Sequence, residues 1–322
     1  MSAINEENYA KMAQYVQSLG TTIDGFQMKV KDSTVAPLMS DCLTSSVDGK
    51  KWFSKVDLRD GVFNVRIVPR DQEKTAFRTK YGTFEYKLVP FGLCNSPATF
   101  TKMMNRILGD LVDVYVTINI DDILIYSNCI KDHTRHVDEV LRRLRENKLF
   151  VKREKFLLYQ KSVTFCGSTI DGVGIKPTID SQTEIEIITR PTNVKEVQSF
   201  LGSLNYFRQF IESFAILSTP LYILTKKDTL WQWTSEHENA FIQLKGCLTS
   251  APTLHHFDAD KETVIFTDAS LYAIGGGIGQ RYGSAVMPVA YWSKKLNPAE
   301  TRYPTHEREL MALVKICDNF QH

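Results

Sequence analysis

Apolar and polar positions fall into regular order only from Trp52 onward. Before it, the pattern predicts one short helix over residues 8–19, ended by Gly20, and a polar, irregular stretch to Ser33. Phe53, Val56 and Leu58 predict a strand, and residues 62–68 predict more extended chain before Pro69. Residues 75–78 and 83–89, separated by Lys80-Tyr81-Gly82, predict a hairpin. A helix is expected from Ser96-Pro97 through Leu108, with proline in its first turn and Gly109 as its stop. Residues 114–120 and 123–126 are β-rich runs flanking Asp121-Asp122, the form of a hairpin with a carboxylate tip. Residues 131–147 place Val137, Val140, Leu141 and Leu144 on one helical face. Residues 163–170, with a turn over 172–174, predict another short hairpin.

Past residue 190 the period changes. Pro191-Thr192-Asn193 opens a helical section in which Val194, Val197, Phe200, Leu201 and Leu204 recur at helical spacing. After connections at 226–228 and 249–252, residues 263–267, 274–280 and 288–293 predict three strands, and residues 305–320 a helix. The order is mixed α/β, then helical, then a second β-then-α unit, with no internal repeat.

Composition narrows this little. The 322 residues suffice for two or three domains, and no apolar run approaches the roughly 20 residues of a membrane span. The first residues do not read as a signal peptide, so a soluble, intracellular protein with no membrane partner is expected. The six cysteines are scattered without a close pair, which points to reduced thiols rather than disulfides or zinc. His133, His136, His255 and His256 lack partners at metal spacing and read as surface or packing residues. The net charge of +2 announces no nucleic-acid partner by itself. Arg142, Arg143, Arg145, Lys148, Lys152, Arg153 and Lys155 cluster, however, and suit either a phosphate-tracking patch or a solvated helix face.

Asp57 stands near the end of an early strand, and Asp121 and Asp122 at the tip of a later hairpin. If those strands are neighbours, three carboxylates make a hard-oxygen site suited to Mg²⁺; otherwise the pair is a polar turn and Asp57 a strand-end acid. The surrounding residues bear on the choice. Residues 53–61 (FSKVDLRDG), 89–100 (VPFGLCNSPATF) and 120–127 (IDDILIYS) resemble, in order, the three polymerase motifs of gypsy-type long-terminal-repeat retrotransposons. Residues 74–79 with Tyr81-Gly82 match the segment between the first two motifs, and residues 192–208 resemble the thumb helix.

The resemblance runs from about residue 35 to the C terminus. It implies an α+β fold, a right-hand polymerase of palm, fingers and thumb followed by an incomplete ribonuclease H-like α/β domain. Asp57, Asp121 and Asp122 become catalytic acids that bind Mg²⁺ (or Mn²⁺), with an RNA or DNA template, a primer and deoxynucleoside triphosphates as partners. Two such ions about 4 Å apart can activate a primer 3′-hydroxyl and stabilise the leaving pyrophosphate. Val62, Phe91, Gly92 and Asn119 become substrate-binding positions, and residues 163–167 the segment gripping the primer end. Residues 266–270 (FTDAS), 289–300 and 305–312 resemble the opening of ribonuclease H, which implies Asp268 and Glu309 as metal-binding acids, with Glu307 as alternative to the latter. The implied segments are 1–34, unmatched; 35–175, fingers and palm; 176–235, thumb; 236–262, connection; and 263–322, a C-terminally truncated ribonuclease H-like domain.

Three departures stand out. Asn119 replaces the family's aromatic residue, Val62 replaces the Tyr or Phe that guards against the 2′-hydroxyl, and residues 1–34 lack the basic residues that hold the triphosphate. They imply weak or absent polymerisation by the isolated chain, and the truncation implies an inactive nuclease. The function expected is RNA-directed DNA polymerase; the alternative is a degenerate retroelement remnant that only binds nucleic acid.

Overall fold

The computed structural model describes residues 27–28, 47–59, 61–90, 92–227 and 229–320. The helix expected over 8–19 lies outside them. Contacts gather the described chain into two units: residues 27–28 with 50–163, and residues 47–49 with 164–320. This grouping differs from the family-based segments, because it divides the chain inside 35–175. No described helix is long and apolar enough to cross a membrane.

The first unit runs β1 (Gln27–Met28), β2 (Trp52–Asp57), a 3-10 turn (Gly61–Asn64), β3 (Arg66–Ile67), α1 (Pro69–Gln72), β4 (Phe77–Thr79), β5 (Gly82–Phe84), α2 (Ser96–Leu108), β6 (Val116–Asn119), β7 (Asp122–Ser127), α3 (Ile130–Glu146) and β8 (Leu157–Gln160). Its main sheet is antiparallel with the order β6-β7-β2-β8. Ile123, Leu124, Ile125 and Tyr126 of β7 are all fully buried. The strand is covered on both faces, which is why its sequence is a continuous apolar run rather than an alternation. On α2, Phe100, Met103, Met104 and Leu108 enter one core with Val137, Val140, Leu141 and Leu144 of α3. Each such side chain contributes about 1.5–3 kcal/mol relative to exposure.

Residues 62–68 depart from the extended chain expected. Asn64 Nδ2 donates to Arg59 O at 3.0 Å and Val65 N to Val62 O at 3.2 Å. A side-chain bond to nearby backbone competes here with strand pairing. The turn leaves only Arg66–Ile67 as strand, with Val65 and Ile67 delivered to the core.

β9 (Ser162–Phe165) ends the first unit and opens the second, which continues with β10 (Ser168–Asp171), β11 (Gly174–Pro177), α4 (Ile179–Glu186), α5 (Val194–Tyr206), α6 (Phe214–Leu217), α7 (Thr219–Leu224), α8 (Ser235–Thr249) and β12 (Leu254–His255). Then come β13 (Thr263–Ala269), β14 (Ala273–Tyr282), β15 (Ala285–Lys295) and α9 (Thr305–Asn319). The sheets are β12-β11-β10-β9 and β13-β14-β15. Between β14 and β15 the register slips at Ile278/Gly279, where Pro288, which has no N–H to give, sits in β15.

The run 163–170 is not one strand but two, broken by a turn the pattern did not show. Cys166 (φ +50°) and Gly167 (φ +69°) are both left-handed, as a tight two-residue hairpin requires. Tyr206 Oη, at the end of α5, donates to Cys166 O at 2.8 Å and holds the turn. Burial, together with the Cys166 contact, raises the Tyr206 phenol above its ordinary range, so it stays a donor at all ordinary pH. Tyr206→Phe is expected to cost about 0.5–1.5 kcal/mol, read as a shift of the denaturant midpoint at unchanged slope. An unshifted midpoint would show that the bond contributes nothing.

Candidate active site

The β6–β7 hairpin closes over two residues, Ile120 and Asp121, with Asn119 paired to Asp122. Ile120 has φ +52°, a conformation a β-branched residue adopts only at a cost of about 1–3 kcal/mol. Register then does what the linear sequence cannot. Asp57, the last residue of β2, lies directly opposite Asp122, the first of β7. Leu58 N donates to Asp121 O at 3.0 Å, which joins the hairpin tip to the chain leaving β2. All three acids therefore stand at one end of one sheet.

The side chains of Asp57 and Asp122 are held by lysines, and the three carboxylates are not gathered on one point. Asp57 is only 5% exposed, with Lys152 Nζ 3.0 Å from Oδ1 and Lys155 Nζ 3.4 Å from Oδ2. Lys55 Nζ lies 3.0 Å from Asp122 Oδ2. Among the described residues, no three His, Cys, Asp or Glu side chains converge closely enough to hold a metal as they stand. The donor set nevertheless fits a hard divalent cation. Asp57 Oδ1 is buried and, although an ammonium stands near it, accepts no well-formed hydrogen bond. A buried, under-satisfied carboxylate oxygen beside two more carboxylates is the chemistry such an ion requires.

The neighbouring positions are less uniform. Val62 is partly buried against the core. A side-chain carbon at Gly61 would meet Asp121 Cβ and Phe100 Cζ, each at 3.1 Å, so this glycine lets the tip approach α2. Gly92 (φ +90°) is exposed and faces open space, while Phe91 lies outside the described residues. Asn119 is partly buried beside Asp122.

The basic stretch is not one free patch. Arg142 pairs with Glu139 and Glu146, and Arg143 with Asp110 and Glu139 while donating to Ile107 O. Hydrogen bonds from Arg142 and Arg143 hold the Glu139 carboxyl below its usual range. Lys152 and Lys155 face Asp57. Of the two readings of His133, surface or packing, the structure shows the second: it is fully buried between Ser54 Oγ (2.7 Å from Nε2) and Ser127 Oγ (2.9 Å from Nδ1). Its position on the same helical face as Val137, Val140 and Leu144 was the available signal.

In the second unit, Ser213 Oγ donates to Asp268 Oδ2 at 3.1 Å from a left-handed backbone (φ +52°). Asp268 pairs with Gly275, whose added carbon would meet Ser213, whereas the carbon at Gly276 would meet Ile316 of α9. Asp268 thus occupies the Ser213 face of the sheet. Glu307 and Glu309 are exposed on α9, and neither shares a hydrogen bond or ion pair with Asp268.

An antiparallel sheet backed by helices, with acids in register at its end and a second β-then-α unit after it, defines an α+β polymerase architecture. The profile of "Reverse transcriptase (RNA-dependent DNA polymerase)" matches residues 5–170, just over half of the chain and including part of the stretch where no motif was read. The chain belongs to the reverse transcriptase family. That of "RNase H-like domain found in reverse transcriptase" matches residues 233–322. The chain is 35% identical over 287 residues to the Transposon Tf2-3 and Tf2-7 polyproteins of Schizosaccharomyces pombe, covering 89% of itself but 22% of their length. It also resembles foamy viral protease-reverse transcriptase solved with double-stranded DNA (27% identity, TM-score 0.72, 89% of this chain and 51% of that one). A second structure of that viral protein, with an RNA/DNA hybrid, gives 27% identity and TM-score 0.69 over 90% of this chain and 38% of the other.

Proposed function

We propose that the chain is the polymerase portion of a retrotransposon polyprotein, acting as an RNA-directed DNA polymerase. One observation carries this: Asp57 stands opposite Asp122 in register, with Asp121 at the adjoining tip and a buried Asp57 oxygen lacking a hydrogen bond. Asp57, Asp121 and Asp122 would hold Mg²⁺ or Mn²⁺, which when bound supplies activation of a primer hydroxyl and charge neutralisation at a triphosphate. The chain's own residues do the positioning. Val62 stands at the nucleotide sugar, where its small side chain excludes a 2′-hydroxyl poorly. By the family resemblance, Phe91 and Gly92 would serve the templating base and the incoming deoxynucleoside triphosphate, and Asn119 the primer end. The nucleic acids bound by the foamy viral relative support a template–primer partner.

Asp268 and Glu309, or Glu307 in its place, are the candidate acids of the ribonuclease H-like domain. A second reading, nucleic-acid binding without catalysis, is favoured by Asn119 and by the lysines that occupy Asp57. The test is extension of a DNA primer on an RNA template with Mg²⁺ or Mn²⁺, comparing the intact chain with Asp121→Asn. Extension that disappears in the variant supports the polymerase. Primer–template binding without extension by the intact chain leaves the binding reading.

A further inference from the structure

Three ammonium groups stand against two carboxylates at the end of the main sheet. Lys152 and Lys155 share Asp57, and Lys55, on the same face of β2 as Asp57, reaches Asp122. The backbone carrying the first two lysines is fixed. Arg59 N donates to Phe150 O at 2.7 Å, Lys152 N donates to Asp57 O at 2.9 Å, and a 3-10 turn spans Arg153–Lys155. Their side chains are not enclosed: that of Lys152 is 37% exposed and that of Lys155 66%, against 8% for Asp57. An almost buried carboxylate cannot stand uncompensated, because removing it from water costs several kcal/mol. The lysines supply the compensation and can leave without moving the chain.

We propose that Lys152 and Lys155 form a displaceable cation gate on Asp57, holding its charge until a divalent cation takes the carboxylate and then turning to a nucleic-acid phosphate. The proposal rests on the metal-site reading above and adds to it a coupling. A divalent cation entering at Asp57 competes with two ammonium groups and is repelled by them. A phosphate that draws the lysines away removes both obstacles. Metal and nucleic acid therefore bind with positive coupling, and by linkage each tightens the other equally. Because the backbone stays pinned to β2, the released ammonium groups remain within a lysine's length of the acids.

The test uses the full chain, with free Mn²⁺ followed by electron paramagnetic resonance and a labelled DNA primer on an RNA template followed by fluorescence anisotropy. Mn²⁺ alone should bind the Lys152→Ala/Lys155→Ala variant about three- to ten-fold more tightly than the intact chain. Saturating duplex should tighten Mn²⁺ about five-fold or more in the intact chain and much less in the variant. Mn²⁺ binding to the variant that is equal or weaker overturns the gate. If the double variant does not fold, Lys152→Gln and Lys155→Gln singly carry the same comparison. Asp57→Asn separates the two readings. If it leaves Mn²⁺ binding unchanged, the metal site fails and the gate with it; if it weakens Mn²⁺ while the lysine variants do not tighten it, only the gate fails.

Discussion

Replacing Gly61 by valine is expected to lower primer extension about a hundred-fold and to cost about 1–3 kcal/mol of stability. Even the first carbon of a side chain would stand 3.1 Å from Asp121 Cβ and 3.1 Å from Phe100 Cζ, tighter than ordinary contact. The two neighbours give way unequally. Phe100 is fully buried in the core shared by α2 and α3, so its ring has nowhere to go. Asp121 sits beside Ile120, already left-handed at φ +52°, so the hairpin tip takes up most of the displacement. A shift of about 1 Å at a reacting group costs on the order of a hundred-fold in rate. Gly61→Ala should do the same in smaller measure, because only one carbon must be accommodated. Extension rates and denaturant midpoints of the three proteins check the claim. A valine variant with the rate and midpoint of the intact chain would show that the tip does not depend on this contact.

The parts of this site that were legible in sequence are local. α2 begins at Ser96 and ends at Leu108 as expected, because Pro97 and Gly109 mark its ends within the helix itself. The tip at Asp121-Asp122 was legible because two β-rich runs flank it. What stayed hidden depends on pairing across the chain. The motif around Asp57 implied, by resemblance, a shared site with Asp121 and Asp122, but not the register that sets Asp57 opposite Asp122, and nothing near Lys152 says that its ammonium will face Asp57. In the basic stretch, the pairs of Arg142 and Arg143 with Glu139 and of Arg142 with Glu146 are local and fit the solvated-helix-face reading, whereas the Arg143–Asp110 pair spans 33 residues and was not legible. The Cys166-Gly167 turn was missed for a different reason. Cysteine has no preference for a left-handed backbone, so its conformation reflects the hydrogen bond from Tyr206 rather than local propensity.

His133 supports the second large effect, a loss of stability on mild acidification. Its ring is fully buried, bridges Ser54 of β2 and Ser127 of β7, and meets Tyr159 of β8 edge-on. Burial, with the neighbouring His136 adding to it, pushes the imidazole down to about 4 from an ordinary 6.5. The folded chain therefore prefers the neutral ring, and the unfolded chain takes up the proton first. Stability is complete above about pH 6.5 and falls by one proton's slope as pH drops towards 4. That amounts to about 2.5 kcal/mol by pH 4.5. His136, lowered by its own burial, acts in the same direction. The carboxyls of Asp110, Asp132 and Glu139, held below their usual range by hydrogen bonds, lose their contribution only as pH falls through the ordinary carboxylate range of the unfolded chain, at and beneath the foot of this window. Urea unfolding from pH 7 to 4.5, for the intact chain and for His133→Gln, isolates the effect. The glutamine side chain keeps hydrogen-bonding groups between the serines and cannot be protonated, so the variant should start less stable and lose less. Parallel pH profiles would mean that His133 is not the group whose protonation loosens β2 from β7.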